Sequence, residues 1–319
     1  MATQQIGGAG ETPLRPGKAP RRTAKPTDAG ALTPYLFMAP YLALFLTFVV
    51  APAVYGVYIS LHNWDYLLPG KPFVGLQNYA SLLDPGSSAF GPFWNSMEAT
   101  GKFTLYSVPL LVVIPLVLAV FLNRQFPGRG FFRAVYFAPY VLGVAVIGIL
   151  WRFVLDPNNG LLNYYLGALG LPGGIPWITD LPWGWVSLVG VTVWWTMGYN
   201  AVIYLAGLQD IDPALYDAAK VDGANAWQRF VYVTLPGLRP VLVFVIIITI
   251  LASANMFGQS YVITQGAPGA ETKTAIWHIA DTGLRNFNMG AAAAMSYVLA
   301  FALALVALAN FLFFRTKED

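Results

Sequence analysis

Charged residues are missing from six long stretches of this chain: residues 29–64, 103–123, 134–151, 181–209, 240–270 and 286–314. A membrane span needs about 20 mostly apolar residues, so each stretch predicts one transmembrane helix. A seventh uncharged run, 157–179, reads PNNGLLNYYLGALGLPGGIPWIT. Its apolar part is short and is broken by Pro172, Gly173, Gly174 and Pro176. That pattern predicts an interfacial or re-entrant segment rather than a span. Prolines at 40, 52, 109, 115 and 139 fall inside the first three stretches. Each removes a backbone donor, and each predicts a kink.

Composition agrees with the pattern. Hydrophobic residues make up 57% of the 319 and charged residues 10%, where an ordinary soluble domain is nearer half and a quarter. So few charges cannot supply a water-facing surface for a chain of this length. A soluble enzyme, a disulfide-rich secreted domain and a largely disordered chain are excluded, and with no cysteine there is no thiol chemistry.

The net charge of +3 carries topology more than partner information; it is no sign of nucleic-acid binding. Thirteen of the 18 Lys and Arg residues fall in the N-terminal tail, the loops after the second and fourth stretches and the C-terminal tail. The other five are Lys71, Lys102, Arg152, Lys273 and Arg285. The positive-inside rule then predicts six spans with both termini cytoplasmic. Trp64, Trp94, Trp151, Trp177, Trp183, Trp185 and Trp277 fall at or beyond the outer ends, as an aromatic belt does. Residues 1–30, rich in Gly, Pro, Thr and Arg, predict a disordered basic tail that orients the chain, and 31–319 a single membrane domain.

One cytoplasmic loop, 209–236, is unlike the others. Asp212-Pro213 is an N-cap followed by proline at the first helical position. Gly223 suits a left-handed C-terminal cap. Asn225 can cap a second short helix that runs to about Val233 and stops at Leu235-Pro236. The expectation is a helix–turn–helix hairpin outside the bilayer. Leu215, Ala218 and Ala219 would form a small apolar face beside the Asp217 carboxylate. A plain connecting hairpin is the alternative.

Asp217-Ala218-Ala219, Gly223 and Val233-x-Leu235-Pro236 resemble the EAA loop of binding-protein-dependent ABC importer permeases. The spacing matches throughout, with Asp217 in place of Glu and Val233 in place of Ile. The resemblance extends over about 33–315. FVGLQNY at 73–79, Leu155-Asp156-Pro157 with Gly160-Leu161-Leu162-Asn163, and Thr264-Gln265-Gly266-Ala267-Pro268 resemble segments of the maltose-type carbohydrate permeases. The resemblance implies an all-α fold of the type I importer permease architecture. It implies a second homologous permease, a cytoplasmic ABC ATPase dimer and an extracytoplasmic sugar-binding protein as partners. The setting it implies is a bacterial or archaeal plasma membrane. Coupling to the ATPase would fall to Asp217, Ala218, Ala219, Gly223, Leu235 and Pro236.

The chain lacks an engine of its own. Three Gly-Lys pairs, at 17–18, 70–71 and 101–102, lack the glycine five residues earlier that a phosphate-binding P-loop requires. No Asp or Glu lies in the six stretches, so no proton relay is evident. His62 and His278 fall at the outer boundary, too far apart in sequence to suggest a metal site. No catalytic residue and no cofactor is expected in this chain; ATP and Mg belong to the partner ATPase.

Polar groups in the spans are neutral. The fourth holds Trp194, Trp195, Thr196, Tyr199 and Asn200, the fifth Ser253, Asn255, Phe257, Gln259 and Tyr261, the sixth Ser296 and Tyr297. Aromatic faces with amides and hydroxyls suit a sugar. Trp195, Tyr199, Asn200, Asn255, Phe257, Gln259 and Ser296 are the candidate substrate contacts; ordinary interhelical hydrogen bonding is the alternative. The function expected is import of a sugar or oligosaccharide. Import of another small solute (a sugar phosphate, amino acid or peptide) and secondary carriage are the competing readings.

Overall fold

The computed structural model describes residues 33–315; the expected tail over 1–30 lies outside them. The described residues are mainly helical. No strand forms among them, only isolated bridges between His62 and Phe73 and between Asp65 and Asn288. The chain divides into two compact units, one ending at Ala53 and one beginning at Val54.

In the first unit α1 (Thr33–Phe45) runs into a widened turn at Leu46–Val50 and the start of α2 (Ala51–Ser60). The wide turn closes with Ala51 N–H donating to the Leu46 carbonyl. Pro52 follows at once. It cannot donate, and its ring crowds the carbonyl four residues back, a clash that a wider turn relieves. Leu36, Phe37 and Phe48 are exposed.

The second unit is built around two long helices. After α3 (Gln77–Leu83) comes α4 (Phe90–Leu122), continuous through Pro109 and Pro115. At 33 residues it is about 50 Å long, well beyond the ~30 Å of a bilayer core. It therefore starts 13 residues before the expected span and takes in Glu98 and Lys102, which pair at 2.7 Å one turn apart. Reading charge-free runs truncates this helix because the two charges are mutually compensated.

The third expected span is not one straight helix. It forms α5 (Arg129–Val141) and α6 (Val144–Val154), bent by 97°. Leu142 and Gly143 are both extended, and the break falls three residues after Pro139. α7 (Leu161–Ala168) spans about 12 Å, too little to cross a membrane.

α8 (Trp183–Gln209) is the central helix and packs against α4, α5 and α12. Phe103 of α4 shares a core with Leu188 of α8, and Ala119 shares another with Leu208, so the two helices run in the same direction. Close approach to α5 is possible because residue 198 is glycine. A Cβ there would lie 2.1 Å from the Tyr136 carbonyl oxygen.

Beyond α8 come α9 (Pro213–Val221), α10 (Ala226–Arg229), a widened turn at Phe230–Thr234, α11 (Leu235–Gly237) and α12 (Arg239–Ala254). The sequence expectation that Leu235-Pro236 stops the second hairpin helix does not hold. The chain stays helical to Gly237 and then bends by 69° into α12. Again the wide turn precedes a proline, with Leu235 N–H donating to the Phe230 carbonyl.

The fifth stretch is also interrupted. α12 ends at Ala254, and Ser260–Thr264 forms a separate turn of helix, closed by left-handed Gln265 and Gly266. α13 (Ala275–Ala280) and α14 (Met289–Arg315) complete the described residues.

Among the described residues, four helices are long and apolar enough to cross a membrane: Tyr35–Ser60, Phe90–Leu122, Trp183–Gln209 and Met289–Leu312. The number reaches six when each bent pair counts as one span.

Candidate functional site

Where α4, α5, α8 and α12 converge, the structure leaves a cavity of about 630 Å³. Its polar lining comes from Thr192, Thr196, Asn200, Thr249, Ser253, Asn255 and Gln259. Phe103, Tyr140, Trp195, Tyr199, Phe244 and Phe257 supply aromatic surface, and no charged side chain lines it.

Six of the seven expected substrate contacts come together here: Trp195, Tyr199, Asn200, Asn255, Phe257 and Gln259. Ser296 lies elsewhere, on α14, exposed and donating to the Ala292 carbonyl. The six differ in how free they are. Asn200 is buried and donates to the Leu111 carbonyl at 3.0 Å and to Thr249 Oγ1 at 3.4 Å, so it ties α8 to α4 and α12. Asn255 is exposed and donates back to the Leu251 carbonyl at the end of α12. Trp195 donates its indole N–H to the Leu142 carbonyl at the α5–α6 break. Tyr199 stacks on Tyr140, centroids 4.6 Å apart and planes 16° apart. Phe257 stacks on Tyr261 at 5.3 Å. Gln259 is 8% exposed, and its side-chain amide makes no hydrogen bond to another described residue.

Five of these polar and aromatic lining residues do not stand out in the sequence: Phe103, Tyr140, Thr192, Phe244 and Thr249. Thr192 and Thr249 look like ordinary helix threonines, and Thr192 returns its hydroxyl to the Leu188 carbonyl. Tyr140 follows Pro139 at the end of α5, and its position beside the break was the available signal.

The hairpin after α8 folds as its local signals dictate. The Asp212 carboxylate accepts from Ala214 N–H at 2.8 Å, with Pro213 opening α9. α9 ends on Gly223 at φ +77°, with Gly223 N–H donating to Lys220 and Ala224 N–H to Ala219. This is a Schellman cap. Asn225 and Gln228 form a reciprocal capping box. Tyr216 and Thr234 join the two arms through their hydroxyls at 3.0 Å. Gly237 lies against Ile211, where a Cβ would come within 2.9 Å of Ile211 Cδ1, and this fixes the hairpin's base on α8.

The expected coupling residues lie along this element. Asp217 and Ala218 are exposed, Ala219 is half-buried, and Leu215 stands 54% exposed beside them. Asp217 pairs with Lys220 on the same helix at 2.7 Å. Leu235 is half-buried and Pro236 exposed at the far arm.

Residues 102–317 match the family described as the binding-protein-dependent transport system inner membrane component. The chain belongs to this family. The permease is 35% identical over 279 residues to the arabinooligosaccharides transport system permease protein of Bacillus subtilis, covering 86% of each chain. It is 32% identical over 271 residues to the sn-glycerol-3-phosphate transport system permease protein of Agrobacterium fabrum, covering 84% of this chain and 89% of that one. Among solved structures it resembles a chain of a bacterial alginate ABC transporter, crystallised in complex with an alginate pentasaccharide-bound periplasmic protein. The TM-score is 0.74 at 22% identity, covering 87% of this chain and 92% of that one. The permease is thus a multi-pass membrane protein with the ABC importer permease fold, a transport subunit rather than an enzyme.

Proposed function

We propose that the permease forms half of the channel of an ATP-driven importer. It carries a neutral sugar or oligosaccharide delivered by an extracytoplasmic binding protein. The observation that carries this reading is the lining of the cavity, where rings stand beside amides and hydroxyls with no charge among them. Ring faces suit the C–H faces of a sugar, and amides suit its hydroxyls. The Gln259 amide lines the cavity and offers donors and an acceptor that other described residues leave unused. A phosphate ester within the membrane calls for a cation at the site, so the uncharged lining favours the oligosaccharide-type relative over the glycerol-phosphate one as a guide.

In this reading each bent pair counts as one span, giving six in the plasma membrane of a bacterium or archaeon, with both termini cytoplasmic. The α9–α11 hairpin then faces the cytoplasm and docks in an ABC ATPase subunit through Asp217, Ala218 and Ala219. Gly223, Leu235 and Pro236 hold its shape. ATP and Mg belong to the ATPase dimer, and a second, homologous permease completes the passage. Closure of the ATPases switches the spans between inward- and outward-facing states.

The test is reconstitution with the partner permease, ATPase and binding protein. ATP should drive uptake of a neutral oligosaccharide. Gly223→Pro and Asp217→Lys should abolish it while the chain stays in the membrane. Ion-driven uptake by the chain alone, or normal uptake by both variants, overturns the reading.

A further inference from the structure

The turn joining α4 to α5 lies at the same end of the molecule as the hairpin, because the last turns of α4 share a core with Tyr216, Phe230 and Val233. Phe121, one residue before the end of the candidate span, is 56% exposed, and Phe131, at the start of α5, is 70% exposed. Between them the rings form a continuous ladder: Phe121 to Phe126 at 5.5 Å, Phe126 to Phe132 at 5.9 Å and Phe132 to Phe131 at 5.9 Å. Three arginines are interleaved with these rings. Arg124 and Arg129 are exposed, and neither makes an ion pair with a described residue. Arg133 donates to the Leu122 carbonyl at 3.1 Å, which pins α5 to the end of α4, while its Nε is buried without a partner. Gly128, at φ +84°, makes the turn tight enough to bring both sides together.

We propose that this turn is a binding site for an anionic phospholipid. Exposed phenylalanines continuous with a membrane span fit acyl chains at the headgroup boundary. Arg124 and Arg129, standing in the same few residues, fit the phosphate and its second negative group. A soluble partner would have to desolvate both arginines and supply its own acids against a surface made largely of phenylalanine rings. A lipid brings the anion and the apolar chains together. The Arg133 bond sets the spacing between the two halves of the ladder and makes Arg133 a positioning residue.

The assembled transporter is purified in mild detergent and incubated with phosphatidylglycerol or phosphatidylcholine. Bound lipid is counted by native mass spectrometry. Phosphatidylglycerol should be retained over phosphatidylcholine. The double variant Arg124→Gln/Arg129→Gln should lose that preference by roughly 10-fold or more while the ATPase stays bound. In nanodiscs, ATP hydrolysis by the wild-type complex should rise with phosphatidylglycerol content, and that of the variant should not. Equal retention by wild type and variant overturns the proposal. So does loss of the ATPase from the variant complex, which would make the turn a protein contact. Neither outcome depends on which solute is carried.

Discussion

Trp195 donates its indole N–H to the carbonyl of Leu142 across 3.1 Å, and Leu142 is the residue at which α5 stops and the chain turns into α6. A helix break strands carbonyls that no following turn can satisfy. Here the central helix supplies a donor, and its ring also lines the cavity. Trp195→Phe keeps the ring and removes the donor, which costs about 1 kcal/mol. Uptake should fall several-fold with assembly unchanged, and Trp195→Ala should fall further. Transport in proteoliposomes reads this directly. Wild-type uptake by the phenylalanine variant would separate the bond from the cavity.

The packing of α8 on α5 predicts a sharp contrast between two glycines of one helix. At Gly198 a Cβ would meet the Tyr136 carbonyl oxygen at 2.1 Å and the Phe137 Cα at 2.8 Å. These are backbone atoms and cannot move aside as a side chain does. Gly198→Ala should therefore destabilise the permease by about 1–3 kcal/mol or more. Gly190, two turns earlier, has nothing within 4 Å. Gly190→Ala should be neutral or slightly stabilising, since alanine is the better helix former. Thermal unfolding in detergent compares the two. Equal melting temperatures would mean that α5 and α8 do not pack this closely.

These two relationships also mark where sequence reading stops. The hairpin was legible almost residue by residue, because caps act within four or five positions: Asp212-Pro213, Gly223 and the Asn225–Gln228 box all form. Its end was misplaced because Leu235-Pro236 reads as a stop, while the widened turn at Phe230–Thr234 accommodates the proline and carries the helix on to Gly237. Pro139 marks a kink in the third stretch, but not the full 97° break at Leu142, since the apolar run passes through it without a polar residue. Gly198 against Tyr136 is a tertiary contact 62 positions apart, with no local trace. Cavity residues on α8 and beyond α12 stood out as neutral polar and aromatic groups in charge-free runs. Tyr140 did not, because only the break turns it toward Tyr199.

The two arms of the hairpin are held by the Tyr216–Thr234 hydroxyl pair. Tyr216→Phe leaves Thr234, which is buried, without that partner, at a cost of about 1 kcal/mol. Amide exchange over Pro213–Val221 should quicken about fivefold. If the hairpin transmits ATPase closure, a looser hairpin should also raise ATP hydrolysis per sugar imported. Unchanged exchange would show that the Gly237–Ile211 base alone sets the hairpin's rigidity.

Acid should loosen the segment around α13. His278 is held below the usual imidazole range by burial first and by the Lys273 charge second, with Asp281 opposing. Asp281 also titrates low: burial raises it, but the Lys273 hydrogen bond at 2.5 Å, the Lys273 charge and Arg285 outweigh that. Glu98, Lys102 and Glu271 line the same cavity as His278 and complete its charged surroundings. Both groups have folded values depressed below their ordinary 6.5 and 3.8. Their stabilisation is therefore full above those values and is lost as pH falls through the folded ones, because the unfolded segment takes up protons first. His278 acts first, below about pH 6.5, and Asp281 only in stronger acid. Hydrogen exchange over 275–285, corrected for intrinsic rates, should show protection falling between pH 7.5 and 5. His278→Gln should flatten that slope while leaving the low-pH loss due to Asp281. The same slope in the glutamine variant would assign the loosening to another group of the cluster.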